Sequence, residues 1–151
     1  MNIDYSHYSE DDYADFAEMV FSLYDEDPKG EPIAESKINK TVSESGRHPE
    51  KVQIIMFRAG DVNVGYGIVT CVWSNEFGGN VIIIDELYVK KEYRNKKVAT
   101  NYFKFIQETF KDAVLFELEV TPSNKSALGF YQYTGFEASS KKNMFMHARK
   151  A

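Results

Sequence analysis

Apolar residues early in the chain recur at helical spacing. Tyr13, Phe16, Ala17, Val20, Phe21 and Tyr24 form one stripe in "YSEDDYADFAEMVFSLYDED" and predict an amphipathic helix. Ser9, followed three residues later by Asp12, is a candidate cap, and acids fill the first turn. Pro28, Gly30 and Pro32 interrupt the pattern. A weaker second helix is predicted over residues 34–45, before Gly46 and Pro49. The period then shortens. "KVQIIMFRAGDVNVGYGIVTCVW" predicts two strands joined as a hairpin at Ala59-Gly60-Asp61. After the loop "SNEFGGN", the near-continuous apolar run of "VIIIDELYV" predicts a strand covered on both faces.

A helix over residues 98–110 and a strand in "AVLFELEV" follow. Their close spacing calls for a right-handed crossover that sets this strand parallel to the third. "SNKSALGFYQYTG" predicts a short helix capped by Ser123 or Asn124 and stopped by Gly135. "FEASSKKNMFMHARK" is expected to close the fold as a strand pair. The resulting class is α/β (α+β): a mixed, mostly antiparallel twisted sheet with helices on both faces. No repeat or linker divides it, so residues 1–151 are expected to form a single domain.

Charge changes this picture more than composition does. The net charge is -5, yet residues 1–50 hold 13 acids against 4 Lys/Arg, while the remainder holds 10 acids against 14. An acidic half beside a basic half suits a site that takes an anion from one side and a cation from the other. The basic residues gather at one turn rather than along a stripe, which argues against nucleic-acid binding. With one cysteine, Cys71, and three scattered histidines, neither a disulfide nor a metal site is expected. The start has no basic region followed by an apolar one, and no apolar run approaches membrane-spanning length. A cytoplasmic protein without a membrane partner is the expectation.

The densest basic cluster is Lys90, Lys91, Arg94, Lys96 and Lys97, with Glu92 among them, where the helix over residues 98–110 begins. A helix N-terminus offers unpaired N–H groups and the positive end of its dipole, so a phosphate is a natural occupant. Here the residues become recognisable. Arg94-Asn95-Lys96-Lys97-Val98-Ala99, after "IDELYV", resembles the Arg/Gln-x-x-Gly-x-Gly/Ala loop of the GNAT acetyltransferase superfamily. "NKSALGFYQYTGF" is similar to that family's second signature, Asn-x-x-Ala-x-x-Phe-Tyr-x-x-x-Gly-Phe, at every defined place.

The resemblance implies acetyl-CoA as co-substrate, its pyrophosphate on the loop's backbone N–H groups. It also implies a central, splayed parallel strand pair, with the pantetheine arm running beside Leu87, Tyr88 and Val89. Asn124 matches the residue that hydrogen-bonds that arm, and Tyr131 the residue that protonates the leaving thiolate. Asp85 and Glu86, charged in an otherwise apolar strand, are the candidates for the base, with Glu86 preferred. Because adjacent strand residues face opposite sides, at most one of the two is expected to point at the acceptor. Tyr24, Asp25, Glu26, Asp27 and Trp73 are candidate acceptor contacts. One departure stands out: the family's glycine falls on Lys97. A left-handed backbone there would cost a non-glycine residue roughly 1–2 kcal/mol.

The implied activity is acetyl transfer to a primary amine on a small molecule or peptide, by direct attack in a ternary complex, and the acidic half tilts the acceptor towards a small cationic one. A CoA-binding module without efficient catalysis and a protein-interaction domain are the rival readings. A homodimer is a common arrangement among similar proteins.

Overall fold

The computed structural model describes residues 1–27, 30–121 and 123–148. They fall into two compact units, Met1–Glu119 and Val120–Ala151. In the first unit five strands lie side by side in chain order: β1 (Asp4–His7), β2 (Val52–Ala59), β3 (Val62–Ser74), β4 (Gly79–Val89) and β5 (Ala113–Leu118). All neighbours are antiparallel except β4 and β5, which run parallel on either side of α3 (Val98–Thr109). The last β4–β5 pair is Ile84 with Leu118, whereas β4 continues to Val89. The two strands therefore part half-way along β4, and its second half is unpaired on that side.

Helices cover both faces. On one lie α1 (Tyr13–Glu26) and α2 (Glu35–Arg47). Phe16, Met19, Val20 and Ile38 pack there on Ile54, Met56, Tyr66, Ile68 and Tyr88. Phe16 meets Tyr66 edge to face at 5.1 Å, and burial of each such side chain is worth roughly 1.5–3 kcal/mol. The α1 stripe is centred on Phe16, so Met19 turns inward at 2% exposure while Phe21, expected inside, is 39% exposed. On the other face Tyr102 of α3 lies 4.6 Å from the Phe57 ring. It fits because Gly67 has no side chain: a Cβ there would run into its hydroxyl.

Two differences from the sequence expectation concern short or exposed elements. β1 was not expected, since four residues are too few to show a period. It is held by Tyr5, which donates to the Val98 carbonyl at 2.6 Å and stacks on Phe105. The closing strand pair does not form: residues 136–148 contain no strand, and Met144, Phe145 and Met146 are exposed. An isolated hairpin is marginal without a third strand or a helix to pack on. In this second unit the short helix is present as α4 (Lys125–Tyr133), and Asn124 caps it by accepting from the Ala127 N–H at 3.1 Å.

Candidate active site

A register shift in β4 creates the first element of the site. Ile68 of β3 pairs with Glu86 and Val69 with Ile84, leaving Asp85 as an extra residue. Such a bulge reverses which residues face which side. Ile84 shares the α3 face with Val69, and Glu86 shares the α1–α2 face with Ile68. Asp85, the extra residue between them, also opens to the second face. Strict alternation of Asp85 and Glu86 between the two faces is therefore broken here. Both carboxylates line one cleft of about 580 Å³, together with Ile68 and with Lys40, Glu44 and Arg47 of α2.

Within that cleft Glu86 is held by two phenols. Tyr24 of α1 donates to its Oε2 at 2.7 Å, and Tyr66 of β3 to its Oε1 at 2.8 Å. No cation pairs with it among the described residues. Desolvation dominates and pushes the Glu86 carboxyl above its ordinary range; the phenols pull it back in part, and Asp85 pushes it up again. Burial also raises Tyr24 and Tyr66, so both stay protonated as donors. Asp85 is more exposed. Desolvation and the nearby Glu119 carboxylate raise its carboxyl too. A carboxylate with a raised pKa, reached by a cleft and oriented by neutral donors, is suited to accept a proton near neutral pH.

The second element is the turn before α3. Asn95 and Lys97 both have left-handed backbone, with φ of 62° and 64°. The position of the family's glycine does require positive φ, and Lys97 bears that strain as the N-cap of α3. Its carbonyl accepts from Asn101 N–H at 2.9 Å. Among the described residues no protein group accepts from the backbone N–H of Asn95, Lys96, Lys97, Val98, Ala99 or Thr100. Consecutive free donors at a helix N-terminus fit a pyrophosphate. Leu87, Tyr88 and Val89 lie on the unpaired half of β4 leading to this turn. Arg94 is already engaged: its guanidinium forks onto both oxygens of Glu26 at 2.9 Å, its Nε donates to the Val89 carbonyl at 2.7 Å, and it lies over the Tyr88 ring. Lys96 and Lys97 carry the remaining positive charge.

Of the other expected residues, Tyr24 meets Glu86 directly, and Glu26 is occupied by Arg94. Asp25 and Asp27 are exposed at the end of α1, and Trp73 is 70% exposed near the end of β3. Tyr131 belongs to the second unit, where it is half-buried beside Phe130 and Phe136 and burial raises its hydroxyl pKa. Sequence reasoning missed Tyr66, a hydroxyl between Gly65 and Gly67 in an apolar strand, and the cationic edge supplied by Lys40 and Arg47. Among the described residues no group of three or more His, Cys, Asp or Glu is arranged to hold a metal.

A doubly covered mixed sheet with a parting parallel pair, a nest at the N-terminus of α3 and a buried carboxylate on β4 are the features that define the class of this fold and site. The acetyltransferase (GNAT) family matches residues 10–136, and the chain belongs to it. Mouse thialysine N-epsilon-acetyltransferase is 32% identical over 78 residues, covering 50% of this chain and 45% of that protein. The match thus spans less than half the length of that relative. A possible acetyltransferase from Clostridium difficile 630 superposes with a TM-score of 0.83 at 23% identity, covering 100% of both chains. AAC(6')-Iy, solved with the bisubstrate analogue CoA-S-monomethyl-acetylneamine, superposes with a TM-score of 0.76 at 16% identity, covering 99% of this chain and 100% of that one.

Proposed function

We propose that this protein is an N-acetyltransferase that moves the acetyl group of acetyl-CoA to a primary amine. The observation that carries the reading is Glu86, held by Tyr24 and Tyr66 without a cation and open to a cleft on the splayed strand. The relatives' printed names support amine acceptors: one is a thialysine acetyltransferase, and another holds an aminoglycoside-derived bisubstrate analogue.

In the mechanism, the N–H groups of residues 95–99 hold the pyrophosphate, with Lys96 and Lys97 adding charge. Arg94 positions this turn from its fork on Glu26. The unpaired edge of Leu87, Tyr88 and Val89 offers backbone groups to the pantetheine amides; the role of Asn124 towards the same arm rests on its place in the second motif. Bound there, acetyl-CoA supplies an activated acetyl carbon. Glu86, directly or through a water, takes a proton from the acceptor ammonium, and Asp85 stabilises the positive charge before that transfer. The amine nitrogen then bonds to the acetyl carbon as the carbon–sulfur bond breaks, and the nitrogen releases its second proton through water, which restores the proton that Tyr131 gives up. Tyr131, kept protonated by burial, returns a proton to the departing sulfur. Its assignment rests on its place in the second motif.

The test is calorimetry with acetyl-CoA followed by turnover on an amine panel, for the parent and for Tyr131→Phe. Expected are stoichiometric acetyl-CoA binding, transfer to an amine, and a kcat lower by about 100-fold in Tyr131→Phe with binding kept. Lys97, strained where the motif it resembles has glycine, favours a second reading as a CoA-binding module; binding without turnover on any amine would select it. No acetyl-CoA binding would remove both.

A further inference from the structure

The cleft that reaches Glu86 has two edges of opposite charge. On β4 stand Asp85 and Glu86; across the opening, α2 presents Lys40, Glu44 and Arg47 on one face at i, i+4 and i+7. Glu44 is not available to a ligand as a free charge. Its Oε2 accepts from Lys51 Nζ at 2.8 Å, and that contact holds its carboxyl below the usual range. Lys40 and Arg47 are both exposed and make no ion pair among the described residues. What remains after internal pairing is a cationic edge facing an anionic floor.

A purely cationic acceptor, such as a polyamine, would satisfy the floor and meet repulsion at α2. An amine that also carries a carboxylate satisfies both. Arg47 can take a carboxylate with two parallel N–H donors, and Lys40 lies two turns earlier on the same helix face. Resting on the acetyltransferase reading, we propose that the acceptor belongs to the amino-acid class: its amine goes to Asp85 and Glu86, and its carboxylate goes to Arg47 and Lys40. The acidic N-terminal half would then not select polycations, because the charges it presents to the cleft without an ion pair, Lys40 and Arg47, are cationic.

The experiment compares amino acids with their decarboxylated counterparts, lysine with cadaverine and ornithine with putrescine, in parent, Arg47→Gln and Lys40→Gln/Arg47→Gln proteins. Binding to the CoA-loaded protein is followed by calorimetry, and transfer from acetyl-CoA by thiol release. A carboxylate held by charged donors should favour the amino acid about 10-fold or more in kcat/KM and in affinity. The double variant should erase that ratio, through a higher KM for the amino acid and, with the repulsion at α2 removed, a lower KM for the diamine. Equal or better use of the diamines by the parent, or a preference that survives in the double variant, overturns the proposal while the acetyltransferase reading stands. If no amine is acetylated and none binds, both fall together. Binding of amino acids in the Arg47-dependent order without transfer supports the carboxylate site and removes only the catalytic reading.

Discussion

Asp12 and Glu86 are both carboxylates gripped by several donors, and they end in opposite states. Asp12 takes two guanidinium N–H groups of Arg58 at 2.8 Å, with the Asn63 amide and the Ser9 N–H completing the shell. The full positive charge wins over desolvation and holds its carboxyl down to about 2. Glu86 has only two neutral phenols, so desolvation wins and its carboxyl rises. The charge of the donors decides whether a buried carboxylate is locked as a structural anion or left ready to take a proton.

Three experiments bear on that contrast. The largest effect is expected from removing each carboxylate in turn. Glu86→Gln should lower kcat/KM by about 100-fold or more with little change in melting temperature. Asp12→Asn should do the reverse, costing about 3 kcal/mol in denaturant titrations because Arg58 loses its counter-ion, with activity per folded molecule retained. Equal loss of stability in both variants would erase the distinction.

Acid titration of stability should show opposite signs. Asp12 has a folded pKa of about 2 against 3.8, so its contribution of about 2 kcal/mol is present above pH 4 and lost as pH falls towards 2. Glu86 has a folded pKa above 4.5, so its contribution is fully present below that value and lost as pH rises through the folded pKa. Thermal melts across pH should therefore show Asp12→Asn flattening the acid limb. Glu86→Gln should instead reduce the decline on the neutral side. A variant that alters the wrong limb would refute its assignment.

The smallest effect should come from Tyr24→Phe. Its hydroxyl lowers the Glu86 carboxyl, so removal should raise that pKa and move the acid limb of kcat/KM to higher pH. A limb that stays in place would mean that Glu86 is not the group titrating in the rate.

The long periodic elements were legible. The α1 helix, the hairpin turn at Gly60-Asp61 and the α3 boundaries all followed from apolar spacing and punctuation, although the α1 stripe takes in Met19 and leaves Phe21 exposed. The strain at Lys97 was legible only as a condition attached to the motif's glycine, and the left-handed backbone there meets that condition. The bulge did not follow. In "VIIIDELYV" apolar residues occupy both faces, so no alternation exists whose reversal could mark the extra residue. Tyr66 was hidden for a related reason: a strand tyrosine next to glycines reads as core, and its ring is indeed core while its hydroxyl serves Glu86. Lys40 and Arg47 stood in the sequence at one-face spacing, but α2 is polar nearly all round, with only Ile38 fully buried. A ligand-facing stripe does not stand out on such a helix.

The bulge also has a meaning in chain length. β4 runs eleven residues from Gly79 to Val89, against ten of β3 from Gly65 to Ser74. The ladder thus carries one residue it does not use, and that residue is Asp85. Losing Asp85 would restore one-to-one pairing, with Glu86 still opposite Ile68 and Tyr88 still opposite Tyr66. Losing Leu87 instead, with the ladder closing up in the same way, would bring Asp85 opposite Ile68 and swing Glu86 round towards α3. Along this strand, the ladder's tolerance to a lost residue is therefore confined to the bulge and ends one step before Glu86.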